Sequence, residues 1–152
     1  MPNRSKRTLS RALVAGAAGG AMEVLWIGLV AVVFGIQASQ VARGVAATVV
    51  PASVASASAP WLGLTIHFLL SAALALVFAR MVANRLHGFA LLVAALAALA
   101  AVWGLNFFVL LPAINPAFAV MLPYPVTLVS KLLFGLAMAL VLDRNDVHSA
   151  TT

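Results

Sequence analysis

Residues 125–144 read PVTLVSKLLFGLAMALVLDR, and all but a few of them would be at home in hydrocarbon. A helix crossing the ~30 Å apolar core of a bilayer needs about 20 mostly apolar residues. This stretch supplies most of one, with a conspicuous exception at Lys131. Three comparable runs precede it, so the spans are read at residues 13–34, 61–80, 88–111 and 124–142. None of them alternates apolar and polar residues as the short segments of a transmembrane β-barrel do. The chain therefore reads as an all-α membrane protein, one integral domain over residues 1–152. Its four transmembrane helices are expected in an antiparallel bundle, the default for short connections.

Composition leads to the same class. Of the 152 residues 64% are hydrophobic and only 8% charged, against about 25% charged in a soluble domain. The mean hydropathy is +1.13. Three acids, Glu23, Asp143 and Asp146, face nine lysines and arginines, for a net charge of +6. An excess of this size raises the question of nucleic acid. Here the charges sit at the ends of apolar runs, which is the pattern that orients membrane proteins, and no nucleic-acid-binding motif accompanies them. Cysteine is absent, which excludes disulfides, iron–sulfur clusters, thiolate zinc sites and c-type haem attachment.

The basic residues also give an orientation. Arg4, Lys6, Arg7 and Arg11 precede the first span, Arg80 and Arg85 flank the turn between the second and third, and Arg144 follows the fourth. Only Arg43 falls on the other side, so both termini are expected in the cytoplasm. Trp61 and Tyr124 then mark the outer interface. The basic start MPNRSKRTLSR resembles the n-region of a signal peptide, but the apolar run after it is longer than the 7–15 residues of a signal core and holds Glu23. A retained helix is expected.

The connections differ in character. The short inner turn RMVANRLHG favours spans two and three as a packed hairpin. In the first outer loop Val41, Val45 and Val49 recur every four residues while Gln37, Gln40 and Arg43 share another side. That spacing predicts a short amphipathic helix lying on the outer membrane face. PASVASASAP after it reads as a flexible link. The second outer loop, LPAINPAFAVMLPYP, is uncharged and holds Pro112, Pro116, Pro123 and Pro125, so regular helix is not expected across it. The tail DRNDVHSATT is polar and expected to fray.

Each span carries one conspicuous polar group: Glu23, His67, Asn106 and Lys131. A charge at the bilayer centre costs about 2.5–3.5 kcal/mol on insertion scales, so such residues face other helices or water. Small residues accompany them at helical spacing. Gly16, Gly19 and Gly20 lie on the Glu23 side, Gly63, Ser71 and Ala75 on the His67 side, and Thr127, Gly135 and Ala139 in line with Lys131. Small residues let helices approach closely, so the polar faces are also the expected packing faces.

Two readings of Lys131 stay open. Counted from the inner boundary, Glu23 and Lys131 lie at similar depth, about 15–17 Å at 1.5 Å per residue, and would meet directly or through water. Counted from the outer boundary they differ by about four residues, and helical side chains lean toward their own N-terminus, so the lysine would instead snorkel outward. A contact would have a structural role before a transport role. His67 would relay a proton or bind a metal, or simply hydrogen-bond a neighbouring helix, the plainer expectation. No cofactor is expected. Asn106 is read as a helix–helix hydrogen bond, and Trp26 and Trp103 as packing or lipid-facing bulk. His87 and His148 fall at the inner edge and tail.

Five stretches, AMEVLWIGL, VARGVAATVVP, IHFLLSAALAL, WGLNFFVLLPAINPAF and LPYPVTLVSKLLFGLA, together resemble a family of small four-span bacterial membrane proteins with no known activity. The likeness covers most of the chain and includes Glu23, His67, Asn106 and Lys131. It implies a bacterial membrane protein and carries no substrate, cofactor or catalytic residue.

Small size, short exposed loops and the uncharged outer loop point first to a non-catalytic accessory or assembly subunit of a larger complex in the bacterial cytoplasmic (inner) membrane. Its partners would be the lipid bilayer and other membrane subunits or itself, without nucleic acid. The alternative is a small homo-oligomeric transporter or channel with a polar path through Glu23, His67 and Lys131. An enzyme is not expected: catalysis needs a nucleophile with a base or a metal with three protein ligands. The sequence offers only Ser71 one turn from His67.

Overall fold

The computed structural model describes residues 4–147, with side chains described over 6–143. The side chains of Arg4, Arg144 and Asp146, and the tail from His148 onward, lie outside the described residues. Helix is the only regular structure among the described residues: α1 (Arg4–Phe34), α2 (Ala38–Val49), α3 (Ala59–Phe78), α4 (Gly88–Leu105), α5 (Leu111–Ile114), α6 (Pro116–Ala119) and α7 (Tyr124–Val147). A 3-10 turn follows α2 at Pro51–Ser53, and π-helical turns extend α3 over Ala79–Ala83 and α4 over Asn106–Leu110. Four segments are long and apolar enough to cross a membrane: Lys6–Phe34, Ala59–Ala83, Gly88–Ile114 and Tyr124–Asp143. Each overlaps one of the expected spans.

α1 runs unbroken from its basic start because nothing in residues 4–34 breaks a helix. It stops at Gly35, whose φ of +68° suits a residue without Cβ, while the Ile36 amide donates back to the Ala31 carbonyl at 2.8 Å. The large side chains turned outward, Leu25, Leu29, Val32, Leu69 and Phe89 among them, are more than half exposed and apolar. An apolar exterior of this extent marks a surface for a membrane or a protein partner.

Among the four long helices the extended pairs are α1 with α3, α1 with α7, and α4 with α7. The long helices thus stand in the order α3, α1, α7, α4. Across α1 and α7, Arg11 meets Leu142 and Trp26 meets Val126, so these two helices run in opposite directions. Gly16 meets Ala72 across α1 and α3.

This order corrects the expected hairpin, since α3 and α4 are consecutive yet are not among the extended pairs. The reason is where the small residues point. A Cβ at Gly16 would stand 2.7 Å from the Ala72 Cα and the Ser71 carbonyl, so α1 takes α3 as its neighbour at backbone distance. Gly19 seats the Phe134 ring, and Gly135 lies against the Ala95 carbonyl, joining α7 to α1 and α4. Asp143 of α7 accepts a 2.8 Å hydrogen bond from the Gly88 amide, so the start of α4 is fastened to α7.

The apolar core fills the half of the molecule where α1 begins and α7 finishes, the terminal end. Ala12, Ala15, Phe78, Leu91, Leu99, Phe134, Met138 and Leu142 are among its buried members. At the opposite, loop end the connections are more ordered than expected. Arg43 donates to the Val54 and Ser56 carbonyls at 3.1 and 2.7 Å, organising the Ala/Ser link. In the proline-rich loop, Pro112 and Pro116 open the short helices α5 and α6 rather than preventing them, because proline's missing amide is harmless in a first turn. The expected amphipathic helix is α2, but Gly44 and Ala46 are its buried residues, with Val41 and Val45 half-buried and Val49 exposed. It packs along α3, with Gly63 pressed against the Ala42 carbonyl and Gly44 against the Phe118 ring.

Candidate functional site

Glu23 is the centre of the polar cluster. It is only 4% exposed, so its charge has to be met by neighbouring side chains. Lys131 Nζ lies 2.7 Å from one carboxylate oxygen and donates to the other at 3.0 Å. Ser130 Oγ donates to the carboxylate at 3.0 Å. Of the two readings of Lys131, contact with Glu23 is the one the geometry displays. The pairings along α1 and α7 put Glu23 beside Ser130, with Lys131 one residue nearer the terminal end. Over that small offset the opposite leans of the two side chains converge. Lys131 Nζ also stands 5.9 Å above the Phe134 ring, a modest cation–π contact.

His67 completes the cluster from α3. Its Nε2 is 3.2 Å from the Gly20 carbonyl of α1 and 3.9 Å from Glu23. The shorter contact is a hydrogen bond between helices and the longer one is not. No group of three or more histidines, cysteines or acids able to hold a metal is present among the described residues. Ser71 is buried on the same face, but no hydrogen bond joins it to His67.

Asn106 departs from its expected role. Its side chain forms no helix–helix hydrogen bond among the described residues. It begins the π-helical turn of α4 and faces a cavity. The bonds that tie helices at this level come instead from the tryptophans. Trp26 Nε1 donates to the Val126 carbonyl at 2.9 Å, and Trp103 Nε1 to Thr127 Oγ at 3.0 Å. Neither is merely bulk, since a partly buried indole N–H needs an acceptor. Trp103 also joins Phe107, Phe108 and Tyr124 in an aromatic cluster with ring centroids 5.3–6.4 Å apart.

All four polar residues singled out in the sequence line one cavity of about 510 Å³. α1 and α7 supply its back wall, and α3 faces the π-helical turn of α4 across it. Phe134 forms the floor toward the terminal end. α2 closes the loop end with Val41, Val45 and Val49, beside Phe118 of α6. Asn115, missed in the sequence, secures that closure. Its side chain accepts from the Phe118 amide at 3.2 Å and donates to the Gly44 carbonyl and Thr48 Oγ at 3.3 and 3.1 Å. Asparagine directly before a proline at a helix start was a readable N-cap signal. Ser130 carried no comparable mark. Comparison with family models, with characterised proteins and with solved structures finds no match to this chain.

Proposed function

We propose that this chain is a multi-pass protein of the bacterial cytoplasmic membrane, four antiparallel transmembrane helices with both termini inside, serving as a non-catalytic accessory or assembly subunit of a larger complex. The apolar exterior of the four long helices supports insertion, and the basic residues at one side support the orientation. The small four-span bacterial proteins it resembles are its proposed kin. The observation that carries the accessory role is that Glu23 and His67 find their partners within the chain. Glu23 is met by Lys131 and Ser130, His67 by the Gly20 carbonyl. Toward the terminal end Phe134, Met138 and Leu142, each at most 1% exposed, fill the space where a polar path would run. Such a pair sorts helices into one arrangement and leaves the apolar exterior for partners.

The alternative, a small homo-oligomeric transporter or channel, has one observation in its favour: Glu23, His67 and Lys131 line a common cavity. Mild-detergent purification of the tagged protein from its own host, with native sizing and identification of what accompanies it, separates the two. A large assembly with other membrane subunits supports the accessory role. A homo-oligomer without them, together with a flux that Glu23→Gln abolishes at normal protein level, would replace it with the transporter.

A further inference from the structure

The cavity is larger than the ion pair on its wall requires. At about 510 Å³ it falls within the ~300–1,000 Å³ of small-molecule sites, which combine apolar walls with a few convergent polar groups. We propose that it binds one small amphipathic molecule with an uncharged, oxygen-bearing head and an apolar tail, admitted from the side between α3 and α4. This inference concerns the cavity alone and stands under either reading of the whole protein.

The charge of the head follows from the ion pair. Glu23 and Lys131 neutralise each other, with both carboxylate oxygens within 3.0 Å of Nζ. An anionic head would have to draw Lys131 away from Glu23, and a cationic head would have to draw Glu23 away from Lys131. Either leaves a buried charge without its partner, which is strongly unfavourable. A neutral oxygen needs neither displacement. An ammonium has three N–H donors, and two contacts to Glu23 leave one for a guest on the exposed side of Lys131, whose side chain is 21% accessible.

Asn106 supplies the second polar contact. Its amide makes no hydrogen bond among the described residues and lies on the α4 wall, nearer the loop end than Lys131 because Trp103 of the same helix already reaches Thr127. It opens a π-helical turn, a local distortion found often at functional sites. Two separated donors suit a head with more than one oxygen, such as an ester with free hydroxyls. Ile27, Val45, Leu64 and Leu111 offer the tail an apolar surface. Entry follows from the helix order, since α3 and α4 face each other across the cavity without forming an extended pair.

The test uses the full chain in lipid nanodiscs and its tryptophan fluorescence, since Trp61 lines the cavity and bromine quenches indole. Three probes share a tail: the glycerol monoester of ω-bromoundecanoic acid, the free acid, and ω-bromoundecylamine. The expected result is saturable quenching by the glycerol ester at least tenfold tighter than by either charged probe. Gly28→Phe should abolish it, because Gly28 lines the cavity and a Cβ there meets nothing within 4 Å. Val45→Phe blocks the same space from α2 and serves if Gly28→Phe does not fold. Asn106→Leu should weaken the ester roughly tenfold, the size of one lost hydrogen bond, with the native size and melting temperature kept. Saturable binding of the acid or amine as tight as that of the ester would overturn the proposal. So would saturable quenching that persists in both plugged variants, or none that saturates, as a second copy occupying the cavity would produce.

Discussion

At the scale of single residues, Glu23 and Lys131 make the most consequential contact. Its net worth with both partners present is small, because two charges have been withdrawn from water. Its removal by halves is a different matter. Lys131→Met leaves the Glu23 carboxylate, 4% exposed, with Ser130 as its remaining hydrogen-bond donor. The expected loss is about 3 kcal/mol, the lower end for a broken buried pair because Lys131 is partly accessible. The double variant Glu23→Leu with Lys131→Met should recover most of that loss. Reversible denaturant unfolding in mixed micelles measures all three proteins, and a double variant as weak as the single one would mean that packing, not charge, governs the site. Trp103→Phe is a milder case. It removes the 3.0 Å bond to Thr127 while keeping an aromatic ring among Phe107, Phe108 and Tyr124. About 1 kcal/mol should be lost in the same assay.

At the scale of elements, glycines decide which helices touch. Gly16 and Gly28 lie on the same helix with opposite surroundings. A Cβ at Gly16 meets the backbone of Ala72 and Ser71 at 2.7 Å, whereas at Gly28 it meets nothing. Gly16→Val should therefore force α1 and α3 apart and cost at least about 1–3 kcal/mol. Gly28→Ala should be neutral or stabilising by up to about 1 kcal/mol through helix propensity. Melting curves of the two variants side by side check the contrast. A second element-scale expectation concerns the closure formed by α2 and α6. Asn115→Ala removes an N-cap and two bonds to α2, so amide exchange over residues 38–49 should quicken by roughly tenfold, as for about 1.4 kcal/mol of lost local stability. The terminal-end core should be unaffected. Uniform acceleration across the chain would show that α2 is not a separate closing element.

At the scale of the whole molecule, orientation is the claim most open to direct test. The chain has no cysteine, so single introduced thiols report without interference. Ala57→Cys lies in the link before α3 and Asn84→Cys in the turn before α4, and both residues are exposed. In intact cells a membrane-impermeant maleimide should label Ala57→Cys and should reach Asn84→Cys only after lysis. The reverse pattern would invert the topology. The same long helices leave α3 and α4 as the flanks of the row, and the space between them is the cavity.

Sequence alone determined an all-helical chain with four helices long and apolar enough to cross a membrane, since apolar runs of about 20 residues without alternation favour helices over strands. It singled out Glu23, His67, Asn106 and Lys131, the one conspicuous polar group of each apolar run, because an unpaired polar group in a membrane is costly. It also located the small residues along which helices approach. Which helix each small residue would meet was not legible, because several faces were small enough to pair and helical spacing names a face without naming its partner. Tertiary structure made that choice when Gly16 took α3 and Gly19 took Phe134. The separation of α3 from α4 follows, and with it the cavity. The closing of Lys131 on Glu23 was decided at the same level, by a register between α1 and α7 that depends on the whole packed interface.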